Sequence, residues 1–202
     1  MLKTNTNSKK GFTIIEVTLV LAIAGLIMMM VFLALPALQR AQRDTQRTDD
    51  VARLITQLNQ YQSNNRGKLP ETASTETYTA YVTRNPDDKL QEAPTNDQSN
   101  TAWAGFYDEY LIANGDTFED PSGGPYNLII RTCKKDATVA SGSTGSKGCD
   151  TTILSNFEDQ AYTISLYLNS TCDGDLPMYS KGSRKLTAVY KKEGGGRVCQ
   201  SI

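Results

Sequence analysis

Residues 9–39 read KKGFTIIEVTLVLAIAGLIMMMVFLALPALQ, and this stretch decides how the rest of the 202-residue chain is interpreted. After Glu16 no charged residue occurs before Arg40, so residues 17–39 form an uncharged run of 23 residues. At about 1.5 Å per residue, a helix of this length covers the ~30 Å of hydrocarbon in a bilayer. The run therefore predicts a helix that can span a membrane.

The flanks of this run bear on how it is processed. Lys3, Lys9 and Lys10 lie in residues 1–11, which contain no acidic residue, and this is the basic start that signal peptides and membrane anchors share. A secretory signal has an apolar core of roughly 7 to 15 residues and small residues at its cleavage site. This run is longer, and residues 34–37, ALPA, make a poor site. We therefore expect no ordinary signal cleavage there.

Composition excludes several classes of function. The chain contains no His, so it cannot use Ser-His-Asp or Cys-His catalysis or a metal site that needs imidazole. It also lacks a G-x-x-x-x-G-K-[ST] phosphate loop and a G-x-G-x-x-G motif after a strand. With 21 Lys and Arg against 22 Asp and Glu, its surface is not a basic nucleic-acid footprint as a whole. We expect a protein that is not an enzyme and uses no cofactor.

The start of the apolar run carries a specific motif. Basic residues and Gly11 precede Phe12, an apolar stretch and the single carboxylate of Glu16. This pattern closely resembles the class III signal of the type IV pilin and pseudopilin family, and the resemblance covers about residues 9–60. It implies that a prepilin peptidase cuts between Gly11 and Phe12 and methylates the new N-terminus at Phe12. Pro36 lies a few places later than the helix proline expected in many pilins.

Glu16 needs an explanation, because a carboxylate in an apolar segment is unfavourable by about 2.5–3.5 kcal/mol at the centre of a bilayer. One turn from the boundary, its side chain could reach the headgroups. The resemblance implies a different role, in which Glu16 pairs with the α-amine of Phe12 on a neighbouring subunit in a filament core.

Helical spacing continues beyond the apolar run, at Val51, Leu54, Leu58 and Tyr61. The pattern predicts one helix from residue 12 to about 62, bent where Pro36 removes a backbone hydrogen bond. Residues 63–67 should end it, with Asn65 or Gly67 in the left-handed cap conformation. The amphipathic second half predicts a helix packed along a globular head.

The remaining sequence predicts an α+β head. Residues 72–100 are rich in Thr, Asn, Asp and Pro, which indicates a long surface loop. Residues 102–113 should form a short helix whose aromatics enter the core. Residues 120–126, DPSGGPY, resemble the D-P-x-G-x-x-Y entry to the sheet of some pilins. Strands are predicted at residues 126–132, 161–168 and 186–190, in an antiparallel sheet covered by the long helix.

All four cysteines follow the apolar run, at Cys133, Cys149, Cys172 and Cys199. Their spacings lack the C-x-x-C pairs of a zinc ribbon, which favours disulfides. Three connectivities are possible, and we prefer Cys133 with Cys149, around the Ser/Gly/Thr-rich loop 138–148, and Cys172 with Cys199. Disulfides require an oxidising compartment, so the C-terminal region should lie outside the cytoplasm. Charges alone leave the orientation open, because arginines beyond the run offset the lysines before it.

Charge is unevenly distributed. Residues 71–130 carry 11 acidic and 2 basic side chains. A basic group near the C-terminus comprises Lys181, Arg184, Lys185, Lys191, Lys192 and Arg197. It could bind DNA or an acidic surface, although a solvated sheet edge protected by lysines is the preferred interpretation.

Two acidic groups could offer oxygens to Ca²⁺. They are Asp173 with Asp175, and Asp116 with Glu119 and Asp120. Neither completes a twelve-residue EF-hand loop, so we interpret them as surface and turn residues and expect no metal site.

The sequence thus predicts a leader at residues 1–11, a transmembrane and filament-core helix at 12–38, and a head at 39–202. The resemblance implies a structural subunit of a type IV pilus, serving adhesion, motility or DNA uptake. Its partners would be the membrane, other pilin subunits, prepilin peptidase and the pilus assembly platform. It would reside in the cytoplasmic membrane and then in an extracellular filament. Alternatives are a pseudopilin of a type II secretion or competence system and a single-pass anchored exported enzyme or binding protein.

Overall fold

The computed structural model describes residues 11–70, 80–84, 90–91, 101–113, 117–135, 149, 162–182 and 184–202. The chain divides into two compact units, Met1–Ala41 and Gln42–Ile202. The second unit is called the head below. The predicted Ser/Gly/Thr-rich loop, residues 138–148, lies outside the described residues.

One long helix, α1 (Ile14–Asn64), contains 51 residues and includes Pro36. Both ends fall within two residues of the prediction. In the first unit its large apolar side chains are exposed to between 43% and 86%, from Phe12 to Leu38. The helix is long and apolar enough to cross a membrane, which confirms the prediction of a membrane-capable segment.

The C-terminal cap of α1 explains why residue 67 is a glycine. The Gly67 amide donates a hydrogen bond to the carbonyl of Gln62 at 2.6 Å, and the φ of Gly67 is +78°. A Cβ at this position would lie 2.9 Å from Cζ of Arg184. The prediction of a left-handed cap residue at Gly67 is therefore confirmed. The alternative prediction of Asn65 is wrong, because the other residue with left-handed backbone is Arg66, with φ +57°.

The described part of the head contains short strands and one further helix. The helix α2 (Thr101–Phe106) continues into a π-helical turn, Tyr107–Leu111. The strands are β1 (Ala80–Arg84), β2 (Leu90–Gln91), β3 (Glu119–Asp120), β4 (Gly124–Pro125), β5 (Asn127–Thr132), β6 (Thr163–Leu168), β7 (Ser170–Asp173), β8 (Leu176–Tyr179), β9 (Leu186–Lys191) and β10 (Arg197–Ser201). The predicted short helix and all three predicted strands are present.

The main sheet has six strands in the order β10-β9-β6-β5-β1-β2. Strands β5 and β6 are parallel, with Asn127 opposite Thr163, and the other pairs are antiparallel. The predicted sheet is therefore present, but the pairing of β5 with β6 is parallel rather than antiparallel. Residues 133–162 join β5 to β6, and this connection exceeds the dozen residues that a parallel crossover requires.

The prediction of a loop throughout residues 72–100 was also wrong, because β1 and β2 lie within it. Strand β1 pairs with β5, with Tyr81 opposite Ile129, and β2 pairs with β1. Tyr81, Val82 and Thr83 are residues that favour strands, but prolines and polar residues on both sides obscured so short a run. The partner strand, rather than local sequence, explains this element.

The core lies between α1 and the sheet, as predicted. Val51, Leu54 and Leu58 are fully buried and form one cluster with aromatics of α2 and with strand residues such as Leu128 and Leu166. Full burial of one such side chain contributes about 1.5–3 kcal/mol. The apolar stripe of α1 therefore holds the helix against the sheet. The predicted core role of the aromatic residues near α2 is confirmed, because Trp103 and Phe106 are buried and Tyr110 packs against them. Leu111 is buried in the same cluster.

Candidate functional site

The predicted cleavage site lies in exposed, non-helical backbone. Gly11 and Phe12 precede the first turn of α1, and Phe12 is 86% exposed. A Cβ added to Gly11 would meet no heavy atom within 4 Å. Exposed, irregular backbone of this kind is where proteolysis concentrates. The backbone around the Gly11–Phe12 bond is thus exposed and non-helical in the described chain.

Glu16 forms a reciprocal cap with Thr13 at the start of α1. The Glu16 carboxylate accepts hydrogen bonds from the Thr13 amide at 2.9 Å and the Thr13 hydroxyl at 2.7 Å. The Glu16 amide in turn donates to the Thr13 hydroxyl oxygen at 3.4 Å. This is a capping box, in which two residues three apart satisfy otherwise unpaired amides at a helix start. The T-x-x-E spacing of this box is visible in the sequence, although the cap itself was not predicted.

The capping box places the Glu16 carboxylate at the positive end of the helix, beside the residue that cleavage would make N-terminal. Negative charge is favourable at this end because the unpaired amides of the first turn point toward it. The cap therefore provides a local reason for Glu16 in addition to any contact with a second subunit.

A buried ionic network in the head was also missed. The guanidinium of Arg47 donates two hydrogen bonds to Asp120, at 2.7 and 2.9 Å, and a third to the Ser122 hydroxyl at 2.7 Å. Asp120 also accepts from the Ser122 amide and from the Tyr190 hydroxyl, both at 2.8 Å. The side chain of Arg47 is 6% exposed and that of Asp120 0%. The network joins α1 to β3 and β9.

A second set of contacts joins α1 to the loop between β9 and β10. Arg43 donates two hydrogen bonds to Glu193, at 2.8 and 2.6 Å. The Asp44 carboxylate accepts from the Glu193 and Gly194 amides, both at 2.8 Å. Arg47 also contacts Asp44 at 3.1 Å and Glu193 at 3.3 Å. Two arginines and one carboxylate of the helix therefore hold the tip of this hairpin.

These contacts shift the pKa values of the acidic groups. Burial alone would raise the pKa of Asp120, but the hydrogen bonds from Arg47, Ser122 and Tyr190 outweigh it, and the pKa lies below its ordinary value. The hydrogen bonds from Arg43 lower the pKa of Glu193 to about 2. Burial, followed by the hydrogen bond to Asp120, raises the pKa of Tyr190. At neutral pH both carboxylates are charged and the phenol is not.

The sequence did contain a signal for this network. Arg47 lies four residues before Val51, so it occupies the same helical stripe as the core residues Val51, Leu54 and Leu58. A charged residue on a buried stripe requires a buried partner. Asp120 opens the DPSGGPY segment, but its distance of 73 residues from Arg47 concealed the pairing.

The structure pairs the four cysteines as preferred, Cys133 with Cys149 and Cys172 with Cys199. Cys133 and Cys149 are buried with Tyr167 and Val189 in a second, smaller cluster. The other bridge ties β7 to β10. The disulfides thus fasten the C-terminal part of the head.

The acidic groups considered for Ca²⁺ are not assembled into a site within the described ranges. Asp120 is bound to Arg47, and Asp116 lies outside the described residues. Asp173 and Asp175 flank Gly174 at the turn between β7 and β8. In the part of the chain that the structure describes, no group of three or more potential metal-binding side chains occurs.

The basic group near the C-terminus is divided by the structure. Lys181, Arg184 and Lys185 precede β9, whereas Lys191 ends this strand and Lys192 and Arg197 follow. The six-residue strand separates them by roughly 17 Å. Only Arg197 lies on the edge strand β10. The six residues therefore do not form one continuous patch along a sheet edge.

Comparison with known proteins identifies the N-terminal segment. Residues 6–32 match the family described as the prokaryotic N-terminal methylation motif. No curated protein and no solved structure matches the chain. The chain carries the class III prepilin signal of type IV pilins and pseudopilins. This signal supports a pilin-like or pseudopilin protein processed by prepilin peptidase, and with the apolar helix it fits a membrane-anchored precursor that is later exported.

Proposed function

We propose that this chain, which carries the class III prepilin signal, is a structural subunit of a type IV pilus. Residues 1–11 form the leader, residues 12–38 the transmembrane and filament-core helix, and residues 39–202 the head. Prepilin peptidase cuts after Gly11 and methylates the amine of Phe12. The subunit waits in the cytoplasmic membrane with its head outside the cytoplasm. It then enters an extracellular filament through an assembly platform.

The observation that carries this proposal is the exposed apolar surface that directly follows the peptidase signal. Eighteen large apolar side chains from Phe12 to Leu38 are exposed in the described chain. Soluble monomers rarely expose contiguous apolar surface on this scale. Lipid covers it before assembly, and the equivalent helices of neighbouring subunits cover it in the filament. The head contributes the surface of the filament.

The processing step is tested by N-terminal sequencing and mass analysis of protein from sheared surface filaments. We expect N-methylated Phe12 as the first residue. An intact Met1, or a start near Leu38, would contradict the proposal. A change of Gly11 to Leu should block cleavage and leave the precursor in the membrane.

The assembly role of Glu16 is tested with two substitutions that the capping box makes informative. Gln at this position can still hydrogen-bond back to the Thr13 amide but carries no charge, whereas Ala removes both features. If Glu16 pairs with the Phe12 amine of an incoming subunit, Glu16→Gln should leave processed membrane protein near normal and reduce sheared filaments sharply. Immunoblots of membrane and sheared fractions measure both quantities.

Two outcomes of this assay would argue against the assembly role. Normal filament yield from Glu16→Gln would leave only the capping function. Loss of the protein from both fractions with Glu16→Gln would indicate a role in insertion or folding. If the native chain forms no surface filaments and its deletion instead blocks protein export or DNA entry, the chain is a pseudopilin.

A further inference from the structure

The first part of α1 within the head is entirely polar. Residues 42–50 read QRDTQRTDD and contain no apolar residue. The apolar stripe that packs against the sheet begins only at Val51. Residues 42–50, called the polar segment below, are therefore fastened to the head by polar contacts rather than by the burial of apolar side chains.

The tip of the β9–β10 hairpin provides one set of these contacts. The Asp44 carboxylate accepts hydrogen bonds from two successive amides of the tip, those of Glu193 and Gly194, both at 2.8 Å. Arg43 donates two hydrogen bonds to the Glu193 carboxylate, at 2.8 and 2.6 Å. A Cβ at residue 194 would lie 2.9 Å from a carboxylate oxygen of Asp44, so this close approach requires glycine. The clasp, as we call it, comprises Arg43, Asp44, Glu193 and Gly194.

Further along the polar segment, two contacts with the strands of the head continue the fastening. Arg47 binds Asp120, and Asp50 accepts a hydrogen bond from the Tyr126 hydroxyl at 2.9 Å. Arg47 also contacts Asp44 of the clasp at 3.1 Å. Because Arg47 belongs to both sets of contacts, the clasp and the buried ion pair form one connected network.

Ionic contacts and apolar packing respond differently when two surfaces separate. Two ions that leave a buried pair together both regain their hydration, which offsets much of the attraction that is lost. An apolar side chain that leaves the core gains no such compensation. The polar segment should therefore separate from the head more easily than residues 51–61, which carry the apolar stripe.

We propose that the polar segment is a releasable strap, which the clasp keeps closed on the head and which opens as a unit while the rest of the head stays folded. In the closed state the fastened part of α1 begins at Gln42, and in the open state it begins at Val51. The chain between the apolar run and the fastened helix thereby grows from residues 40–41 to residues 40–50. Fully extended, the strap can add at most about 30 Å to the reach of the head.

The clasp is the accessible part of the network. The side chains of Arg43 and Glu193 are 29% and 34% exposed, whereas those of Arg47 and Asp120 are 6% and 0% exposed. Salt screens exposed charges much more strongly than buried ones. Salt and substitutions at the clasp therefore reach the buried pair only if the whole segment opens together.

The test measures how accessible the Asp120 carboxylate is in the full chain purified in detergent. A water-soluble carbodiimide with glycine ethyl ester converts accessible carboxylates to amides, and peptide mass spectrometry gives the rate at each position. The Asp120 side chain is fully buried in the closed head, so its labelling reports the open strap. Asp44→Asn weakens the clasp, because an amide offers one acceptor oxygen instead of two. It should raise the labelling rate of Asp120 at least about tenfold.

Two further variants and one solution condition separate opening of the strap from local effects. Gly194→Ala opens the clasp from the hairpin side, so it should also raise Asp120 labelling, with α1 unchanged. Asp49→Asn makes the same change as Asp44→Asn at an exposed position of the polar segment and should leave Asp120 labelling as it is. In the native chain, raising salt from about 0.1 to 1 M shortens the Debye length from about 10 to 3 Å. We expect Asp120 labelling to rise about two- to fivefold.

Unfolding of the whole head would give a different result. Trp103 is fully buried in the core, so its fluorescence stays native when only the strap opens. The proposal is overturned if Asp44→Asn and Gly194→Ala leave Asp120 labelling at the native rate, or if salt leaves it unchanged in the native chain. It is also overturned if the labelling rises only with loss of the native Trp103 fluorescence, or if Asp49→Asn raises it equally. Because the unassembled chain is used, failure here leaves the filament proposal untouched.

Discussion

Removing one partner of the ionic contact between Arg47 and Asp120 should strongly destabilise the head. The most informative perturbation is Asp120→Asn, which keeps the shape of the side chain and removes its charge. Asp120 accepts four hydrogen bonds, two from Arg47 and one each from the Ser122 amide and the Tyr190 hydroxyl. An amide offers one acceptor oxygen instead of two, and its NH₂ group would face a donor.

The magnitude follows from the burial of both partners. Removing one member of a buried ion pair costs about 3–5 kcal/mol, because the other charge stays buried without compensation. Arg47 retains Asp44 at 3.1 Å and the more exposed Glu193 at 3.3 Å, so we expect the lower end, about 3 kcal/mol. For a chain of this size that loss lowers the melting temperature by roughly 6–12 °C.

Trp103 provides the assay, because it is the single tryptophan and is fully buried in the core of the head. Its fluorescence during urea unfolding of the full chain in detergent reports the stability of the head. Asp49→Asn makes the same change at an exposed position of α1 and should alter stability by less than about 0.5 kcal/mol. A paired replacement, Arg47→Met with Asp120→Leu, should cost far less than the two single changes together.

Two results would refute this reasoning. A loss below about 1 kcal/mol for Asp120→Asn would place the pair among weakly contributing surface contacts. Additive costs in the paired replacement would mean that Arg47 and Asp120 act independently.

Two further predictions concern pH and the helix cap. The pKa values of Asp120 and Glu193 are lowered on folding, so the stability they provide is present above their unfolded pKa values, near 4, and is lost as pH falls toward 2. The urea midpoint should therefore fall across this range, and a flat profile would contradict the network. Gly67→Ala forces a side chain into left-handed backbone and against Arg184, and should destabilise by about 1 kcal/mol or more. At Gly105 in α2, an added Cβ would meet no heavy atom within 4 Å, so Gly105→Ala should leave the free energy of unfolding in urea unchanged or raise it.

Local features of the fold were predictable because each is encoded in a short stretch. The uncharged run, the three-to-four-residue spacing of Val51, Leu54 and Leu58, and the alternation of β6 determine elements one at a time. The cap at Gly67 is also local, although Arg66 shares the left-handed conformation. The pairing of strands that are distant in sequence was not predictable in this way. The parallel alignment of β5 and β6 depends on how a connection of 30 residues is routed, and no window of sequence contains that information.

The candidate sites show the same division. The signal around Gly11 and Phe12 is contiguous, so it is recognisable in the sequence, and it lies within residues 6–32, which match the N-terminal methylation motif. The Thr13–Glu16 capping box is equally short, and its T-x-x-E spacing is a sequence signature of a helix start.

The combination of an apolar stripe and an ionic network determines the register of α1 in the head. An apolar stripe alone tolerates displacement, because a shift of four residues, about 6 Å, brings similar side chains into line. If α1 slid so that each residue took the place of the one four positions later, Arg47 would enter the fully buried site of Val51. The opposite shift would put Val51 against Asp120 and leave a buried carboxylate unpaired. Either error buries an uncompensated charge at a cost of several kcal/mol, so the charged residues exclude registers that the apolar residues would accept.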